Sequence, residues 1–518
     1  MNLLLALPLL PLAAIVWLAF SSRRAELSTG WLVVLIAAFP IAVAVLVSPQ
    51  EMALPDLLVQ GSAVLVLDAG ARASLLLFGG SWFVAGLLMT RDGQQGPAVT
   101  ALLITLSGAL TLALARGGPL VYAGMLAAGY GIYAVMASEQ NSLDRHPRGA
   151  LIVLLVISDL LVFEWLLSSV AHPATGVGGH LAILAAVALL LRAAAPPAHG
   201  WLPPALCSTT RPGAVLLVTV PVGAAWQGGI KLLPAGAADA AVPCLVFGLL
   251  GGAWALVAGL LQARDRATLG YAVAVTSALL LLAWPAGEGT GAQLPWLVLA
   301  LLATCAAVPL LALQVAGWLR DLVVVSLLLI HGLAAGQAAV HAGTVLPAAA
   351  ALLPSLAALM ASVMLTVAVR RTAPWKSSAG EPMRLALVPL STAAIGLGLA
   401  WIASPPQFAA VWTAPVGITL GLWWCRFAPA RAGGAVPPGD LMLRVQRASA
   451  AVVRAGNDLC VGALARARDA GLVFLLGLWD GAAWSRRVQA LDLRLRSWPA
   501  TSLMVLALAL AAAFLLAR

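Results

Sequence analysis

The sequence predicts an all-α polytopic membrane protein with about 14–16 transmembrane helices, and three observations carry that reading. Apolar residues make up 62% of the 518-residue chain and charged ones 9%, against roughly 45–50% and 25% in soluble domains. Apolar blocks of about 20 residues, the length that crosses a bilayer as a helix, recur from end to end. Basic residues gather in alternate connecting loops, as expected of a chain threading back and forth across a membrane.

Taken in order, the first block is Asn2–Phe20. It lacks a basic start and a small-residue cleavage site, so a retained helix is expected rather than a signal peptide. The second is Trp31–Ser48, and a loop with Glu51, Asp56 and Asp68 leads to a third helix beginning near Ser74. The fourth and fifth are Val99–Ala115 and Leu120–Ala137, and the sixth, Ala150–Val170, carries Asp159 and Glu164. At i and i+5 those two acids lie about 140° apart on a helix and need not share a partner.

The seventh helix bears Arg192 near its end and must break at Pro196 and Pro197, because proline lacks a donor and clashes with the preceding turn. Irregular backbone at membrane depth survives only when packed in protein or lining a wet cavity, and a charge beside it marks a candidate ion path. The eighth helix follows Pro212 and contains Pro221 and Lys231; the ninth ends at Gln262. Helices ten to thirteen are Leu269–Ala283, Leu294–Ala316, Leu322–His341 and Leu346–Val369, followed by Leu385–Ile402 and Phe408–Trp424. The stretch Asp440–Arg496 is basic and amphipathic, with Arg444, Arg447, Arg454, Arg466 and Arg468. Such a segment lies on a membrane or along neighbouring helices. A last span, Ser502–Leu516, follows it.

The net charge of +10 sits between helices, which points to topology and anionic lipid rather than nucleic acid. Basic residues follow the odd-numbered helices, with Arg116 the exception, so the N-terminus is expected outside, periplasmic in a bacterial inner membrane. Five cysteines without a CxxC or Cys/His cluster argue against a metal centre or disulfide framework. No Gly-rich phosphate loop follows a strand, and no cofactor is expected.

The motif at the break also carries a resemblance. Arg192-x6-His-Gly-Trp-Leu-Pro resembles the Lys-x6-His-x-Trp-Leu-Pro signature of the antiporter-like subunits of respiratory complex I. These share a superfamily with membrane-bound hydrogenase subunits and multisubunit cation/proton antiporters. Gln262-Ala-Arg-Asp-Arg-Ala-Thr-Leu-Gly-Tyr271 and the Leu65–Leu77 phrase holding Asp68 resemble two further family segments. The resemblance implies N-terminal helices in 1–96 and two inverted five-helix repeats, 97–240 and 241–370. Helices in 371–434, a lateral segment in 435–498 and a final helix in 499–518 complete it. It also implies proton transfer through mid-membrane charges, where lysine works by a pKa lowered through burial.

Most of those charges are missing here. The family's helix-five glutamate falls near Met125–Ala127, its helix-eight lysine or histidine within Thr219–Ala225, and its helix-eleven His-x3-Lys on Thr304 and Val308. The helix-seven lysine becomes Arg192, and arginine does not deprotonate in proteins. The ion-path candidates are therefore Arg192, Asp159, Glu164, His199, His331 and Lys231. Arg192 is read as a fixed charge tuning a neighbour or as a side chain snorkelling to the inner surface. His199 is read mainly as orienting the broken loop, Lys231 as an interfacial anchor, and His331 with His341 as a candidate relay.

The expected function is a membrane subunit of a complex-I-like or antiporter-like assembly that supports proton or sodium translocation, with a degenerate ion path and a scaffold role. It is not catalytic alone; a translocase complex would be the enzyme. The alternative is a conducting subunit with a rebuilt relay, including one that energises inorganic-carbon uptake with a cytoplasmic carbonic-anhydrase-like partner. Expected partners are other membrane subunits, a cytoplasmic catalytic subunit and anionic lipids. The tail arginines are candidates for holding a partner.

Overall fold

The computed structural model describes residues 3–20, 29–54, 63–91, 98–139, 145–171, 179–232, 238–286, 293–312, 317–344, 346, 353–372 and 405–427. Outside these lie the predicted spans 385–402 and 502–516 and the lateral segment with Arg444, Arg447, Arg454, Arg466 and Arg468. The helices are α1 Leu3–Phe20, α2 Thr29–Leu46, α3 Ala69–Arg91, α4 Val99–Leu114, α5 Gly118–Ser138, α6 Arg145–Ala171 and α7 Gly179–Arg192. A 3-10 turn, Ala198–Trp201, and the short α8, Leu202–Ser208, follow. Then come α9 Arg211–Leu232, α10 Ala238–Leu260, α11 Asp265–Ala283, α12 Leu294–Ala307, α13 Gly317–Gly343, α14 Leu353–Thr372 and α15 Pro405–Phe427. Because α8 belongs to the break, α9 is the eighth predicted span.

Nine of the described helices are long and apolar enough to cross a membrane, and shorter apolar helices at Leu3–Leu18, Val99–Leu114 and Cys244–Leu260 join them. The fold is an all-α polytopic membrane bundle. Sequence reasoning places a plain loop before Ser74. The structure instead starts α3 earlier and puts a small antiparallel sheet there, with β1 Gln50–Ala53, β2 Val64–Leu67 and β3 Ala115–Arg116 in that order. A four-residue apolar run such as Val64–Leu67 does not announce strand over helix by periodicity. Arg116, the basic residue in an otherwise uncharged class of loop, forms a 2.8 Å ion pair with Glu51 across this sheet.

Helix ends sort onto two sides through contacts the chain had to make. At one side the Lys231 ammonium, at the end of α9, donates to the carbonyls of Leu112 (2.7 Å), Ala113 (2.6 Å) and Ala115 (3.0 Å) at the end of α4. At the other, the amide of Thr210, just before α9, donates to Glu139, just after α5. Arg371, ending α14, caps the carbonyls of Leu260 and Gln262 at the end of α10. Counting crossings, these pairs fall on common sides only if α7, the break and α8 together make one crossing. α4 and α5 pack almost backbone to backbone. A Cβ at Gly108 would sit 2.6 Å from Ala127, so only glycine permits the approach, as is usual where helices associate in membranes.

Candidate functional site

The break begins one residue beyond Arg192. The Ala193 amide still bonds to the Leu189 carbonyl at 2.8 Å, but Ala194 takes a left-handed backbone (φ 49°), and Pro196 and Pro197 follow. Carbonyls that lose helical partners at such a place need replacements. Ser277 on α11 supplies one for Ala193, donating to its carbonyl at 2.7 Å; earlier, within α7, Ser158 on α6 adds a 2.9 Å bond to the Ala188 carbonyl. His199 is fully buried and meets the Tyr271 ring edge-on, centroids 5.4 Å apart. It turns towards α11, whereas Arg192 faces α5 and α6.

Arg192 does not snorkel: it is 3% exposed, and its Nη2 donates to Asp159 Oδ1 at 2.5 Å. Asp159 is itself 5% exposed and lies near the middle of the apolar stretch Gly149–Ser168 of α6. Within the bundle, then, the cation of the broken helix meets an acid from the preceding helix, not from α5. What α5 supplies is space and hydroxyls. A Cβ at Gly129 would come within 3.1 Å of Arg192 Nη2 and of Leu155, so the absence of a side chain lets the guanidinium lie close against α5. The Tyr122 hydroxyl donates to the Asp159 backbone carbonyl at 3.2 Å, and Tyr130 faces the carboxylate. Sequence reasoning singled out neither tyrosine nor Gly129. The only signal was the seven- to eight-residue spacing that puts Tyr122, Gly129 and Tyr130 along one side of a helix.

The other candidates scatter. His331 on α13 is fully buried, its Nδ1 2.8 Å from Thr304 Oγ1 on α12. The Thr304 hydroxyl also lies 3.0 and 2.9 Å from the carbonyls of Ala300 and Leu301. Which of the two donates to the other follows the histidine tautomer. Nε2 of His331 is buried with no hydrogen-bond partner among the described residues. Lys231 caps α4, a structural use of a cation at the negative end of a helix. Glu164 points away from Asp159 onto the exposed face of α6. Of the six candidates, the structure brings together Arg192 and Asp159. Among the described residues, no cluster of three or more His, Cys, Asp or Glu side chains could hold a metal ion.

No family model matches the chain. A 201-residue stretch is 27% identical to NADH-quinone oxidoreductase subunit N of Mycobacterium sp. (strain JLS), covering 35% of this chain and 41% of that protein. The Mrp complex from Dietzia sp. DQ12-45-1b contains a chain with TM-score 0.64 and 13% identity, over 92% of this chain and 62% of that one. A chain of the archaeal membrane-bound sulfane sulfur reductase, a respiratory membrane complex, gives TM-score 0.54 and 17% identity, over 82% and 98%. The chain thus spans less than two thirds of the first two matched proteins, and the two structural likenesses show a common fold.

Proposed function

We propose that this antiporter-like chain of the complex I superfamily is a membrane subunit of a larger assembly, supporting proton or sodium translocation chiefly as a scaffold around a degenerate ion path. The carrying observation is the closed Asp159–Arg192 pair, 2.5 Å apart and buried on both sides. A relay needs groups that change charge, and arginine keeps its proton. Opposite a fixed cation, Asp159 serves as a clasp between α6 and the broken helix. The expected lysines and glutamate of a conducting path fall on Arg192, Thr304, Val308 and the uncharged stretches Met125–Ala127 and Thr219–Ala225.

The rival reading, a conducting subunit with a rebuilt relay, draws on one observation: the buried Nε2 of His331, which has no hydrogen-bond partner among the described residues. Ion flux through the whole complex in liposomes separates the two. For a scaffold, Arg192→Lys leaves flux per assembled complex and its pH profile unchanged. A shifted pH profile would establish a titrating path, because buried lysine titrates where arginine does not. The same reading holds the N-terminus outside and the tail arginines as a tether for a neighbouring subunit. A cysteine introduced as Ser377→Cys should then be closed to an impermeant label added outside intact cells. The name of the Mrp neighbour and that of the respiratory relative support a multisubunit setting; a carbonic-anhydrase-like or hydrogenase partner would have to be identified by co-purification.

A further inference from the structure

We infer that the outward face of α6 is the docking surface for a membrane helix of another subunit, and that this helix brings a lysine or arginine to Glu164. The face is a regular stripe. Val153, Val156, Ile157, Leu160, Phe163 and Leu167 are each 42–53% exposed, the three- and four-residue spacing of one side of a helix. Glu164 lies on that stripe, exposed, and more than a turn inside the apolar stretch that ends at Ser168. Among the described residues it is the only acidic or basic side chain on an outward face of a span away from the helix ends. Among the described residues, the charges that lie deep in the same helix and its neighbour, Asp159 and Arg192, are turned inward and paired with each other.

A carboxylate among acyl chains is expensive, and such residues face protein or water as a rule. Glutamate is also too short to reach the headgroups from there as a lysine does. The occupant must therefore be apolar enough to cover the stripe and must carry a cation at the depth of Glu164. This chain's own predicted spans outside the described residues, 385–402 and 502–516, contain no Lys, Arg or His, so they do not fit. The inference rests on the membrane-subunit reading but not on whether the Asp159–Arg192 pair conducts.

The test uses the intact assembly from native membranes, with a photo-crosslinking residue at Leu160 or Leu167 and the adducts sequenced. The expected product joins α6 to a transmembrane helix of a different subunit that has a Lys or Arg level with Glu164. Glu164→Lys, which sets like charges together, should then lower co-purification of that subunit roughly tenfold or more while this chain still inserts. Reversing the partner's cation to Glu should restore it. Adducts only to lipid, to a second copy, or to this chain's tail arginines would overturn the inference, as would partner recovery indifferent to Glu164→Lys. Transport by the fully assembled Glu164→Gln complex bears on the ion path alone, so the two proposals fail separately.

Discussion

Where α7 stops at Arg192, a guanidinium sits inside the bundle and is answered by the carboxyl group of Asp159. Where α13 runs on unbroken past His331, the buried polar group is an imidazole that meets the Thr304 hydroxyl of α12. The broken helix exposes the Ala193 carbonyl, which Ser277 satisfies, and polar residues from α6 and α11, Ser158 among them, gather around it. The continuous helix needs none of that. Buried charge and irregular backbone thus occur together, because the side chains that rescue freed carbonyls also make the locality polar enough to hold an ion pair.

The largest effect separates the two places directly. Asp159→Ala leaves Arg192 buried without its anion, and breaking a buried pair from one side costs about 3–5 kcal/mol. Detergent-solubilised chain should lose most of its resistance to thermal unfolding or fail to accumulate. Asp159→Leu combined with Arg192→Leu should recover much of that loss, since replacing both partners removes the orphaned charge. If the single variant melts like the parent, the clasp reading is wrong and the pair is held open by water.

At the second place the expected loss is smaller. His331→Ala removes the hydrogen bonding of the imidazole to α12 and leaves a void, for about 1–3 kcal/mol. Thr304→Val should cost less, because the threonine hydroxyl already bonds its own helix at 2.9–3.0 Å. A histidine loss equal to that of Asp159→Ala would mean that the two halves are built alike after all. Between these comes Gly129→Ala, where the new methyl meets Arg192 and Leu155 at 3.1 Å. Moderate overpacking of about 1–2 kcal/mol is expected, and it should vanish in the Arg192→Leu background.

Hydropathy and loop charge were enough to read the bundle, because crossing a bilayer constrains every residue of a span at once. The break was equally legible, since Pro196 and Pro197 leave no alternative. The pair was not. Asp159 and Arg192 stand 33 residues apart, and nothing in either helix alone says which of the α6 acids turns inward. Spacing on the helix says that Asp159 and Glu164 need not share a partner; the structure buries the first and exposes the second. The sheet, Lys231 as a cap for α4, and Gly129 as the bed of a guanidinium are products of tertiary approach, which period and propensity do not encode.

The smallest effect tests why the broken helix tolerates its charge. Ser277 donates to the Ala193 carbonyl, which the break has taken out of the helical ladder, at 2.7 Å. Its neighbour Thr276 bonds the Ala272 carbonyl of its own helix at 2.8 Å and contributes nothing to α7. Ser277→Ala should therefore cost about 1 kcal/mol, the net worth of one hydrogen bond, with an added penalty if no water replaces it. Thr276→Val should cost less, since the Ala272 carbonyl keeps its backbone partner. The discriminating readout is additivity. Ser277→Ala should couple to Asp159→Ala, because both loosen the segment around Arg192, whereas Thr276→Val should simply add. Equal, additive losses from the two hydroxyls would show that the break holds itself together through its backbone, and that the polar residues around it serve the charge instead.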